Sequence, residues 1–256
     1  MRCYSQEAHR LHHHRKGKRI RTNICKMQKG YIMPPYFSLT FELKKSPTVI
    51  EDFYNAITKT DLKLINCDND YSLDAAIAIN QAKLNDDFVF GYEDDFTNDY
   101  ISMYLEHPDF SYISLHICNI QNLDIVCFNL IIPEDDFLLY ESAALNVTEI
   151  ISNAKPPKRL YGKMNIIKEL AIKMWNAVPT VLIQTSWELS DDLVLSTDID
   201  DNCIPLIEPF CIIPESLVKA SWGLKGTKLT NNSVLIEKNE NWNNVFSDVD
   251  EWIKCE

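Results

Sequence analysis

His116 and Cys118 stand two residues apart in an alternating stretch, close enough for an imidazole to take a thiol proton and make a nucleophile. The rest of that face, Phe110, Tyr112 and Ser114, reads better as a semi-polar sheet surface. Asp68-Asn69-Asp70-Tyr71-Ser72-Leu73-Asp74 sets oxygens at alternate positions, as a calcium loop does. It lacks the turn glycine, and Ile79 falls where the closing glutamate belongs; Ser72 as a helix cap explains the same residues. Pro108-Asp109 begins a nuclease-like pattern, but Asp124-Ile125-Val126 puts valine where the lysine should be, and Asp61-Leu62-Lys63 has no partner motif. None of these names a reaction.

The absences are firmer. Beyond residue 32 the chain holds only Gly91, Gly162, Gly223 and Gly226, too few and too scattered for a dinucleotide fingerprint or a phosphate loop. There is no G-x-S-x-G elbow. The eight cysteines include no C-x-x-C, and His107 and His116 do not stand at zinc spacing. Most cysteines lie in apolar runs, so free thiols packed as small hydrophobes are expected, with no metal and no cofactor. Without a secretory signal, the expected compartment is the reducing cytoplasm. No apolar run reaches the roughly 20 residues of a membrane span.

The elements that would position these residues alternate between the two periods. Tyr36–Lys44 alternates Phe37, Leu39, Phe41 and Leu43 with Ser38, Thr40 and Glu42, a half-buried strand. Ser46-Pro47 opens a helix with Val49, Ile50, Phe53, Ala56 and Ile57 inside. Strands follow at Leu62–Cys67 and Asp87–Tyr92, and helices at Ser72–Leu84 and Asp95–Leu105. Phe110–Ile120 and Leu123–Ile132 form a hairpin, and Glu134–Asn153 reads as mainly helical. Pro156-Pro157 mark a junction, after which Arg159–Ala177 is the clearest helix, with Lys163, Lys168 and Lys173 outward. Thr180–Trp187, Cys203–Ile207, Phe210–Ile213 and Ser233–Lys238 read as strands, Asp191–Asn202 as an acidic loop, and 241–254 as a closing helix. The expected class is α+β, a mixed and mostly antiparallel sheet with flanking helices.

The net charge of −12 averages two unlike pieces. Residues 1–32 carry nine bases against the single acid Glu7. Two readings stand for this tail: a basic arm, or a stretch ahead of a true start at Met33, since codons for Lys29-Gly30 can hold a ribosome-binding purine run. The remainder divides at the prolines into an acidic half, 33–154, and a second half, 158–256, packed as one unit. From Leu84 to Ala154, and again from Met174 to Val218, there is neither Lys nor Arg. Carboxylates of one sign beside aromatic rings suit a basic protein partner. The residues expected to bind it are Tyr92, Glu93, Asp94, Asp95, Asp99 and Tyr100, with Glu134, Asp135 and Asp136 behind them.

In that organisation, with Glu93-Asp94-Asp95 and Glu134-Asp135-Asp136 set among aromatics and no catalytic signature, the chain resembles the immunity proteins of bacterial polymorphic-toxin, contact-dependent and type VI secretion systems. The resemblance carries no diagnostic motif, so it transfers no site residue. It implies a cytoplasmic protein that binds and blocks one cognate toxin, often a basic nuclease, without contacting nucleic acid or membrane. The alternative reading is an enzyme dependent on carboxylates or a metal.

Overall fold

The computed structural model describes residues 36–85, 100–120, 123–139, 158–187 and 193–238. The basic tail, the strand expected at 87–92, most of the helix expected at 134–153 and the closing helix at 241–254 lie outside them. Nine strands form one sheet in the order β10-β11-β9-β8-β1-β5-β4-β3-β2, and every ladder in it is antiparallel. With three helices beside it, this is the expected α+β fold. The strands are β1 (Tyr36–Lys44), β2 (Lys63–Cys67), β3 (Met103–His107), β4 (Phe110–Ile120), β5 (Ile125–Pro133), β8 (Thr180–Trp187), β9 (Phe210–Pro214), β10 (Gly226–Lys228) and β11 (Ser233–Glu237). A two-residue pair, β6 (Leu138–Leu139) with β7 (Lys158–Arg159), stands apart. One sheet thus takes strands from both sides of the Pro156-Pro157 junction.

The helices are α1 (Val49–Ile57), α2 (Leu73–Asn85) and α3 (Tyr161–Ala177). They bury their apolar stripes on one face of the sheet, against Phe37, Leu39, Phe41 and Leu43 of β1 and Val126, Phe128, Leu130 and Ile132 of β5. Phe53 of α1 stacks flat on Phe128 at 3.9 Å between centroids. Helix α1 begins later than Ser46-Pro47 implies and has no side-chain cap of its own. Gln81 of α2 does that work, accepting from the Ile50 N–H at 3.1 Å and donating to the Ser46 carbonyl at 3.0 Å. The outward lysines of α3 tie the helix to its surroundings: Lys168 pairs with Glu237 at 2.8 Å and Lys173 with Asp61 at 3.2 Å. Lys163 donates to the Asp109 carbonyl.

Strand β1 departs from its expected half-burial, because Ser38, Thr40 and Glu42 are as buried as the apolar residues between them. It sits in the middle of the sheet, between β5 and β8, and the sheet carries cores on both faces. On the second face the stretches 193–207 and 215–224, either side of β9, cover Leu182, Cys211, Ile213, Val234 and Ile236, chiefly with Val194, Ile199, Cys203 and Ile207. Three other expectations also change. Met103–His107 is strand, where the end of a helix was expected. Residues 134–137 form a short 3-10 turn rather than the start of a helix. Cys203–Ile207 forms no strand beyond a single bridge from Ile207 to Thr185.

Candidate functional site

The register aligns the second-face residues into rows across the strands. One row runs Tyr104, Ser114, Ile131, Ser38, Ser186; the next passes through His116, Asn129, Thr40 and Gln184. Side chains at such positions leave the same face of a sheet, so these rows make a polar belt across its middle. Most of the belt finds partners close by, though the buried Asn129 Oδ1 has none among the described residues. Ser38 Oγ and Ser186 Oγ lie 2.7 Å apart. Gln184 donates to the Val194 carbonyl at 2.7 Å and accepts from the Leu206 N–H at 2.8 Å, clasping the covering segment. Glu42, only 1% exposed, accepts from the Ser196 N–H at 2.9 Å and from the Ser196 hydroxyl. Burial raises the Glu42 pKa above the ordinary carboxylate value, with Ser196 pulling the other way.

At the β2–β4 end the belt becomes a network around Asp68. Its carboxylate accepts from the Tyr104 hydroxyl at 2.6 Å and from the Ser102 N–H at 3.2 Å. The hydrogen bond to Asp68 is the main reason the Tyr104 phenol stays protonated far above its usual range. The Tyr104 and Tyr112 rings lie 5.6 Å apart. Ser102 Oγ stands 3.3 Å from His116 Nδ1, and Ser114 Oγ 3.0 Å from His116 Nε2. Burial pushes the His116 pKa down, against a smaller opposing pull from Asp68, so the ring is neutral at pH 7.

His116 therefore engages two serines, while Cys118 accepts from the Asn129 amide at 3.5 Å. The distance from Ser114 to His116 suits a nucleophile and its base, yet Ser114 is 4% exposed. A cavity of about 30 Å³ among the described residues, lined by His107, Phe110, Ile113 and Ile167, lies on the helix side of the sheet and is too small for a substrate larger than a water or two. Asp68 likewise spends its oxygens on the protein rather than on a cation. Ser72 caps α2, accepting from the Ala75 N–H at 3.3 Å.

The residues read from the sequence as a binding surface have mixed placements. Tyr92, Glu93, Asp94, Asp95 and Asp99 lie outside the described residues. Tyr100 is 7% exposed and belongs to the main core; Glu134 is 8% exposed. Asp135 is exposed, and Asp136 accepts from both the N–H and the hydroxyl of Ser111, at 2.9 and 3.0 Å. Nothing described brings the Glu134–Asp136 turn to Tyr100.

Sequence reasoning missed a different cluster. The exposed large apolar side chains among the described residues are Ile65 (56%), Tyr71 (43%) and Tyr112 (42%). All three belong to the Asp68 neighbourhood. The β2–β3 register shifts so that both Ile65 and Asn66 stand opposite Tyr104, a bulge that leaves Ile65 without a ladder partner. Tyr112 stacks beside Tyr104, and Tyr71 ends the 3-10 turn that begins at Asp68. Asp70, Asp74 and Glu106 are exposed around them, with Lys63 opposite Glu106 on β2. The signal in the sequence was the apolar Ile65 and Tyr71 flanking polar Asn66–Asp70, which a core strand would not need. No family model, no curated protein and no solved structure matches the chain.

Proposed function

We propose that this chain is an acidic binding protein that occupies and blocks a basic protein, as an immunity protein does with its cognate toxin. The observation that carries this reading is the exposure of Ile65, Tyr71 and Tyr112, on β2, just after it and on β4 at the β2 end of the described sheet, with the exposed carboxylates of Asp70, Asp74 and Glu106 on or next to the same segments. Aromatic and aliphatic side chains give a protein interface its desolvated centre, while charge of one sign steers the opposite charge toward it. The sequence between α2 and Tyr100 adds Glu93, Asp94, Asp95 and Asp99 to the same sign of charge. No helix among the described residues is long and apolar enough to cross a membrane.

The test begins with affinity capture by the intact chain from its native cell. It continues with titration of the captured protein at two salt concentrations against the wild type and an Asp70→Lys, Asp74→Lys, Glu106→Lys variant. The expected partner is basic and is toxic when expressed alone, and co-expression with the wild-type chain restores growth. Its affinity falls as salt rises and falls again, roughly tenfold or more, with the reversals, mainly through slower association. A partner whose binding ignores both salt and the reversals, or whose toxicity the chain does not relieve, overturns the reading.

A further inference from the structure

Cys118 of β4 and Cys127 of β5 are direct cross-strand partners, flanked by the pairs Ile117–Phe128 and Asn119–Val126. Neither is in a disulfide. Directly opposed residues of an antiparallel ladder have Cα atoms about 4.5–5.5 Å apart, inside the ~4.4–6.8 Å span a disulfide bridges, and their side chains leave the same face. No other pair among the described cysteines is so opposed: Cys67 lies on the helix side, and Cys203 and Cys211 belong to the second core. The two thiols also differ in a useful way. Cys118 is partly exposed and accepts a hydrogen bond from the Asn129 amide, so its sulfur can be reached from solvent. Cys127 is fully buried with Leu193 and Leu195, and burial pushes its thiol well up.

We propose that Cys118 and Cys127 form a dithiol site that a small-molecule disulfide of the glutathione class converts into a cross-strand disulfide. The Cys118 thiol gives up its proton to water and its sulfur attacks one sulfur of oxidised glutathione, forming a mixed disulfide and expelling one glutathione thiolate, which takes a proton from water. Cys127 then attacks the Cys118 sulfur, its proton passing to the second glutathione thiolate as that group leaves. Two protein thiols are oxidised, and one small-molecule disulfide is reduced to two thiols. The bridge ties β4 to β5 directly beside Glu42, the register partner of Cys127, and beneath the Ser196 segment that Glu42 holds. The site is independent of any binding partner.

The experiment exposes the folded, full-length chain to oxidised glutathione, blocks the remaining thiols and cleaves on the N-terminal side of aspartate. Cleavage before Asp124 puts Cys118 and Cys127 on separate peptides unless the bridge joins them. The wild type is expected to yield the joined pair, released by reductant, and to melt at a higher temperature in its oxidised form. Cys127→Ser should retain one glutathione on Cys118; Cys118→Ser should leave Cys127 an unmodified thiol. Serine is close to cysteine in size, and a cooperative melt checks that each variant folds; Cys127→Ala replaces Cys127→Ser if it does not. Two intact thiols in the wild type, while the denatured chain oxidises under the same conditions, would overturn the proposal. So would glutathione resting on Cys118 beside a free Cys127.

Discussion

The second face of the sheet is built in two ways. Across β8, β9 and β11 it is apolar, with Leu182, Cys211, Ile213, Val234 and Ile236 buried beneath the stretches 193–207 and 215–224. Across β2, β3 and β4 it carries Asn66, Tyr104, Tyr112, Ser114 and His116, with Tyr104 bonded to Asp68 and Ser114 to His116, and its neighbourhood meets solvent at Ile65, Tyr71 and Tyr112. Both halves share one backbone geometry, so the difference lies in the side chains. An apolar face gains from a cover by removing surface from water, at about 25 cal/mol per Å². A polar face whose groups satisfy one another gains little from a cover and can remain a surface. The boundary crosses the strands obliquely: Glu42 of β1 reaches the covering segment through Ser196, and Leu193 and Leu195 cover Ile125 and Cys127 of β5, while Ser38 of β1 bonds across to Ser186 of the neighbouring strand.

The largest test of this contrast is a matched truncation. Ile213→Ala, at a fully buried site of the covered half, should cost about 2–5 kcal/mol in denaturant unfolding. Ile65→Ala should stay within about 0.5 kcal/mol of wild type. Equal losses would erase the distinction. Next comes the polar belt. Gln184→Leu strands the Val194 carbonyl and the Leu206 N–H in a buried site and should cost roughly 2–4 kcal/mol, whereas Ser114→Ala removes one bond to His116 and should cost about 1 kcal/mol.

The smallest effects are in pH dependence, and the two halves should tilt it in opposite directions. Glu42 has a folded pKa raised above its unfolded 4.5, so its contribution is full below about 4.5 and is lost as pH rises through the folded value. Glu42→Gln should therefore be at least as stable as wild type at pH 7 and lack that gain in acid. His116 has a folded pKa lowered below its unfolded 6.5, so its contribution is full above about 6.5 and fades as pH falls through the folded value. His116→Asn should flatten the acid-side loss in a melting-temperature profile. Parallel profiles for the two variants would contradict the opposite environments assigned to these groups.

Much of the fold was legible where a local pattern met no competitor. The alternation in Tyr36–Lys44 and the apolar run Thr180–Trp187 gave both strands with their bounds. What the alternation in β1 could not state is that its polar side would be buried, since that depends on β5 and β8, far along the chain. Met103–Leu105 reads as the end of a helix because a short apolar stretch fits both periods; pairing with β2 and β4 decides for strand. Cys203–Ile207 fails as a strand because Pro205 removes a ladder donor and Pro209 follows closely. Of the site, the spacing on β4 puts His116 with Cys118 on one face, but the imidazole bonds Ser102 and Ser114 and the thiol bonds Asn129. The role of Asp68 does not, since both its donors, Ser102 and Tyr104, are more than thirty residues away.

The central place of β1 also sets a timetable. Its ladder partners are Ile125–Pro133 and Thr180–Trp187, so the strand nearest the start of the described chain has no neighbour until much later residues are made. At synthesis rates of ~5–20 residues per second, the interval from Lys44 to Pro133, where the first of these partners is complete, is on the order of ten seconds. Through it, Phe37, Leu39, Phe41 and Leu43 leave the ribosome as an unpaired apolar strand, the kind of segment that chaperones hold and that aggregates when they do not. Yield in the cell should then track translation speed and chaperone supply more closely than it tracks the stability of the finished sheet.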